Sequence, residues 1–224
     1  LFIFIFTLMI PKSYGVDYKV SLLNKSIRSE YSKESKNFNT LFKPNIGFGL
    51  DIGFDFKKSV RLSLGHQFTK HRVIKSSLDL EDLEKEEYSV GRSQVELKFK
   101  ATKAIYIDIA YVQQGYLLQD LEISSGGVIT PSIELANLTH YELGAGLISK
   151  AGSVIVVTSF HKIHVPEQEA IDQKFSGHGT RIGIDISSQS GFGLKYNYIN
   201  TVLSSEGEAI YDERLFGLYK KFKF

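Results

Sequence analysis

The chain contains no cysteine and no tryptophan, one methionine and only four prolines in 224 residues. Without cysteine there is no disulfide framework, no thiolate zinc site and no thiol nucleophile. Beyond the first ten residues no apolar run approaches the about 20 needed for a bilayer-spanning helix, so a helical membrane protein is excluded. A strong charge of one sign is missing as well. The 27 basic and 25 acidic residues leave a formal charge of +2, whereas nucleic-acid binding calls for a strongly basic face. No glycine loop has the spacing that cradles a phosphate. What is abundant is Gly (19), Phe (16) and Tyr (12), which suggests β structure with aromatic bands. The length suffices for one large β domain or two small ones.

Residues 1–10 read LFIFIFTLMI and are followed by Pro11, Lys12, Ser13, Tyr14 and Gly15. An apolar stretch followed by small residues two apart resembles a secretory h-region and its cleavage site. Residues 1–15 are therefore read as a signal peptide truncated at its N-terminus, with maturation near Val16 and one domain over 16–224. A buried first strand is the alternative, because aromatic and β-branched runs also make strands.

The remainder alternates with period two. In NIGFGLDIGFDF (45–56), Ile46, Phe48, Leu50, Ile52, Phe54 and Phe56 share one parity. Asn45, Gly47, Gly49, Asp51, Gly53 and Asp55 share the other. Successive strand side chains point to opposite faces, so one face is apolar and the other glycine plus acid. The pattern recurs at 60–68, 95–100, 105–111, 141–147, 182–186 and 192–198. With 16–22, 154–164 and 214–224 this predicts ten strands of about 10–13 residues. That matches the about 9–11 of a tilted bilayer-spanning strand better than the about 5–6 of soluble sheets. The acidic segment 78–87 is the one candidate for a short helix, within a loop.

Connections carry a second signal. Residues 57–59, 102–103, 149–153 and 187–190 read as tight turns. They alternate with long polar stretches at 24–43, 71–87, 118–135, 165–177 and 200–211. Bacterial outer-membrane barrels have this asymmetry of short periplasmic turns and long external loops. At the C-terminus Phe216, Leu218, Phe222 and Phe224 alternate up to the last residue, with Lys220 on the apolar parity. Two accounts fit Lys220: a side chain that snorkels at the rim, or a β-bulge that resets the register.

Together these features resemble the porin-like superfamily of small bacterial outer-membrane β-barrels, over the whole of 16–224. The resemblance implies an all-β fold: an antiparallel up-and-down transmembrane barrel of ten strands, with eight or twelve as alternatives. Ten is the size of the omptin proteases and the Opc-type adhesins, whereas OmpA/OmpX-like barrels have eight. It further implies outer-membrane lipid and lipopolysaccharide as surroundings, long loops outside, and both termini in the periplasm. Phe222 and Phe224 would be read by the barrel-assembly machinery.

The polar parity sets seven acids (Asp17, Asp51, Asp55, Glu96, Asp108, Glu142, Asp185) against seven bases (Lys19, Arg61, Lys98, Lys100, Arg181, Lys195, Lys221). About eight strands leave an interior just filled by side chains, while water-filled channels take about 16. Unpaired buried charge costs several kcal/mol, so these groups are expected to pair across a largely closed lumen. Lumen glycines would make room for the long Arg and Lys chains.

Chemistry-bearing residues are few. His161, His164 and His178 are candidate metal ligands at the external rim, although His161 and His164 sit on opposite strand faces. Ser159 and His161 share a face, as in lipid-hydrolysing outer-membrane barrels but in reversed order. Omptin-type catalysis would need an Asp pair and a His–Asp pair at the external rim; Asp51 and Asp55 have the wrong spacing and lie towards the turns. The reading is a non-enzymatic, monomeric outer-membrane barrel without cofactor or nucleic-acid partner, structural or binding an unidentified external ligand through its loops. A narrow channel and a membrane-embedded hydrolase are the alternatives. The basic stretch Lys25, Arg28, Lys33, Lys36, Lys43 and the acidic stretch Asp79, Glu81, Asp82, Glu84, Glu86, Glu87 would hold two external loops together.

Overall fold

The computed structural model describes residues 15–33, 36–44, 46–57, 59–76, 87–123 and 129–223. Apart from turns these are all strand: β1 (Val16–Lys33), β2 (Lys36–Pro44), β3 (Ile46–Lys57), β4 (Val60–Ser76), β5 (Glu87–Lys100), β6 (Ile105–Ile123), β7 (Ile129–Ala151), β8 (Val154–Ala170), β9 (Gln173–Ser188), β10 (Phe192–Ser204) and β11 (Glu208–Lys223). Neighbouring strands run antiparallel, and β11 pairs with β1 to close the sheet into a ring.

Eleven strands fill ten wall positions. One half of β1 pairs with β3 and the other half with β2. On the opposite side β4 is likewise shared between β3 and β2. Thus β2 and β3 are two halves of one broken wall strand. The break falls at Pro44, which has no N–H to give to a ladder, next to a register shift between Leu41 and Phe42.

The ring has two unlike ends. Gly15, Lys223 and the turns at 101–104, 152–153 and 189–191 lie at what we term the near end. Thr102 Oγ1 accepts from the N–H groups of Ala104 and Ile105 at 3.1 and 2.9 Å, which tightens the first of these turns. Gly152 and Gly191 supply the positive φ that the other two need, at 59° and 87°.

The far end differs from the sequence expectation. Among the described residues, the strands continue through most of the segments 24–43, 118–135, 165–177 and 200–211 that read as long loops; of 71–87, residues 77–86 lie outside the described residues. β1 runs to Lys33 and β2 begins at Lys36; β10 runs to Ser204 and β11 begins at Glu208. The segment 165–177 contains only a two-residue turn, Ile171–Asp172, with φ of 45° and 57°. Positive φ at both positions is the type I′ geometry that suits the twist of a hairpin. β7 reaches 23 residues and β6 reaches 19, about twice what a bilayer crossing requires. Residues 1–14 of the signal segment 1–15, residues 78–86 of the candidate helix 78–87 with five of its six acids, and Phe224 lie outside the described residues; Glu87 is the first residue of β5.

The reason lies in a reversal of the alternation. Over the near half, apolar side chains point outward, as with Phe48 (63% exposed) and Leu143 (61%), and polar ones point in. Over the far half the same parity continues with opposite chemistry. On β1 the inward series goes from Asp17 and Lys19 to Ile27 and Tyr31, while Arg28 and Glu30 point outward. Inward Val73, Leu138, Ile163, Val165, Leu203 and Tyr211 join Ile27 and Phe42 in one buried apolar cluster. An apolar outer wall with a polar lumen thus gives way to a polar outer wall around a packed core. A reader who equates apolar with outward loses the strand where this switch occurs.

At the C-terminal strand the register of β11 against both neighbours is unbroken through Lys220, which overturns the bulge. Lys220 stays on the outer face. Its Nζ donates to the Ser190 carbonyl at 2.6 Å and lies 3.8 Å from the centre of the Phe192 ring, at the near-end rim. Phe222 points outward on the same face, 45% exposed.

Candidate functional site

The interior of the ring is the site, and inward parity selects its residues. At the near end, Arg61 binds Asp17 at 2.5 Å and Asp55 at 3.2 Å, and Lys221 also reaches Asp17 at 2.8 Å. Lys19 pairs with Asp185 at 2.8 Å and lies over the Tyr219 ring, whose hydroxyl donates to the same carboxylate. Lys195 stands 4.0 Å from Asp51. Lys98 lies 3.6 Å from Glu96 and 3.9 Å from Asp108. Arg181 pairs with Glu142 at 2.8 Å. Of the fourteen lumen charges expected from sequence, thirteen are thus in ion pairs, and Lys100 is exposed at the near-end mouth outside them.

Apart from Glu142, sequence reasoning missed the innermost layer. Arg92 on β5 donates to Glu142 at 2.6 Å and to Gln114 at 2.5 Å, and Gln114 donates to Glu213 at 3.0 Å. Lys25 on β1 pairs with Glu213 at 2.7 Å, and His140 Nε2 meets Glu142 at 3.1 Å. All six side chains are buried. Lys25 falls in the basic stretch 24–43 that reads as a loop, and Arg92 and Glu213 lie just outside the predicted strands. Extending the inward parity would have found them, since Lys25 follows Asp17, Lys19, Ser21 and Leu23 at steps of two.

This layer divides the interior. On its near side a cavity of about 1050 Å³ extends to the turn 101–104, lined by most of the near-end charges together with Tyr106, Ser159 and His161. On its far side Tyr116 and Tyr211 stack edge-on at 4.9 Å, fully buried, and lead into the apolar cluster. The near-end space exists because glycines face large side chains. A Cβ at Gly53 would strike Arg61, and at Gly217 it would meet Lys195 at 3.0 Å, as expected for long cations. Rings use the same device: Gly144 lies under His161, Gly146 under Tyr106 and Gly193 under Tyr219.

The histidines do not converge. His161 points inward, whereas His164 and His178 point outward as direct cross-strand partners, because His161 and His164 are an odd number of residues apart. His71 is inward and buried, 2.9 Å from Thr69 Oγ1. It lies in the far-end part of β4, where Lys70 and Arg72 point outward; burial, then the charge of Lys25, pushes it down to about 3. On that outer wall Glu87 accepts from Arg72 at 2.7 Å, and this hydrogen bond and charge hold its carboxyl below the usual range. Lys33 pairs with Glu206; the acids Asp79, Glu81, Asp82, Glu84 and Glu86 lie outside the described residues. Ser159 and His161 share the lumen face, yet neither ring nitrogen of His161 makes a hydrogen bond, so they are not coupled as nucleophile and base.

No protein-family model and no curated protein matches this chain. Solved structures do. The outer membrane protease OmpT from Escherichia coli superposes with a TM-score of 0.55 at 9% identity, over 96% of this chain and 97% of that one. The beta domain of the Bordetella autotransporter BrkA covers 93% of this chain and 99% of its own, at 12% identity and a TM-score of 0.46. The fold is that of a bacterial outer-membrane β-barrel.

Proposed function

We propose that this protein sits in the outer membrane of a Gram-negative bacterium as a non-enzymatic barrel that does not conduct, and that it acts through the projection at its far end. The outward apolar belt of the near half supports the membrane placement, since an exposed apolar face of this extent needs lipid. Near end and both termini then face the periplasm, and the strand extensions stand outside the cell. Outward Lys43, Lys70, Arg72, Lys162 and Arg214 on those extensions suit the phosphates of lipopolysaccharide at the rim. The outward Phe222 strand suits recognition by the assembly machinery.

One observation carries the closed lumen. The buried layer Arg92–Glu142–Arg181 and Lys25–Glu213 is backed by Tyr116, Tyr211 and the apolar cluster, leaving charge and core where a pore would need water. Planar-bilayer recording of the purified chain tests this. Absence of stable openings is expected; reproducible single-channel steps would favour the narrow-channel reading, for which the near-end cavity speaks. A heat-modifiable gel shift of the same preparation confirms that the recorded protein is a folded barrel.

A further inference from the structure

We infer that Glu96, Asp108 and His161 form a binding site for a divalent first-row transition-metal cation such as Zn²⁺, reached from the near-end cavity. This goes beyond the proposed function and does not depend on whether the lumen conducts.

The site is built by the register. Asp108 on β6 lies directly opposite Gly144 on β7, which lies directly opposite His161 on β8. With no side chain on the intervening strand, the imidazole folds over Gly144 and reaches the carboxylate two strands away. His161 Nε2 stands 2.8 Å from Asp108 Oδ1, and one ligand atom from each of Glu96, Asp108 and His161 lies within 4.8 Å of the others. Asp108 and His161 have side chains only 2% exposed. Even so, both carboxylate oxygens and both ring nitrogens lack a hydrogen-bond partner. His161 Nε2 and Asp108 Oδ1 face each other without hydrogen-bond geometry, while Asp108 Oδ2 and His161 Nδ1 have no hydrogen-bond partner at all. Buried polar atoms are nearly always satisfied, so this spot points to a missing partner.

Two neighbouring cations do not fill that role. Arg181 is engaged by Glu142 at 2.8 Å. Lys98 is beyond hydrogen-bonding distance of both acids, at 3.6 and 3.9 Å, and rests over the Tyr106 ring at 4.3 Å. Glu96 and Asp108 thus share one ammonium that hydrogen-bonds neither of them. One imidazole nitrogen and two carboxylate oxygens are a set suited to Zn²⁺, with the cavity supplying water for an open position.

Calorimetric titration of Zn²⁺ into the full chain in detergent, in a non-chelating buffer, tests the site, with the visible absorption of Co²⁺ as a second readout. One saturable site per chain is expected. Asp108→Asn and His161→Gln should each weaken it at least about tenfold, since losing even an outer partner of a ligand costs that much. Lys98→Met should tighten it, while the outward pair His164→Gln/His178→Gln should leave it unchanged. Should a buried variant fail to show the heat-modifiable shift, Glu96→Gln on the cavity wall gives the same test. No saturable binding by the wild-type chain overturns the inference, as does binding that survives Asp108→Asn and His161→Gln or disappears with the outward histidines.

Discussion

Arg92 and Glu142 meet at 2.6 Å in the middle of the barrel with side chains 4% and 0% exposed. Glu142 also holds Arg181 and His140, so one carboxylate anchors three partners from β5, β7 and β9. Removing one member of a buried ion pair strands the other. Glu142→Ala should therefore cost about 3–5 kcal/mol in urea unfolding from lipid vesicles. Replacing Arg92, Glu142 and Arg181 together by Met, Leu and Met should recover most of that loss, because no buried charge is left alone. A triple variant as unstable as Glu142→Ala would contradict this.

Lys220 is expected to be tolerated because its ammonium reaches the rim at Ser190. Lys220→Leu should change stability in vesicles by less than about 1 kcal/mol. The same charge placed in the belt, as Ile184→Lys, should cost about 2–4 kcal/mol. Equal costs at both positions would show that Lys220 is not at the interface.

Glycines under rings should be intolerant of a methyl group. Gly146→Ala would drive Cβ into the Tyr106 phenol and the Thr158 carbonyl, and about 1–3 kcal/mol of destabilisation follows. At Gly91 nothing lies within 4 Å, and Gly91→Ala should be neutral or stabilising by up to about 1 kcal/mol. Thermal unfolding of the two variants side by side measures the contrast.

Acid should loosen the far end through His71. Its folded value lies at about 3 against 6.5 in the open chain. Between those values the unfolded chain binds a proton that the folded one refuses, so stability falls as pH drops. At about pH 4 the loss reaches about 3 kcal/mol. The depressed carboxyl of Glu87 acts with the same sign below its ordinary range. His71→Gln should flatten the decline in melting temperature between about pH 7 and pH 4; an unchanged slope would place the effect elsewhere.

The wall of the barrel was legible in residues 45–56, 105–111 and 192–198, where parity separates apolar from polar with Tyr106 and Ala110 as the exceptions. The far half was not. Ile27, Tyr31, Leu138 and Tyr211 are apolar and inward, so the rule that reads belt strands assigns them to the wrong face or to loops. Lys25, Arg92 and Glu213 were lost for the same reason. A polar residue beyond the belt has the composition of a loop, and only its parity with the lumen series reveals it.

Local chemistry along the chain therefore determined that strands form, which side chains share a face, and that the lumen charges balance. A strand's period of two is enough for that, because it needs no knowledge of neighbours. The tertiary structure decided which of those groups meet. Ring closure sets Asp17 beside Lys221, the break at Pro44 turns two strands into one wall position, and the glycine at 144 lets Asp108 reach His161. Such contacts depend on register across strands far apart in sequence, and a single-strand pattern does not encode it. The four prolines and the missing cysteines are consistent with that outcome: a closed ladder of backbone hydrogen bonds tolerates few breaks and needs no covalent staple.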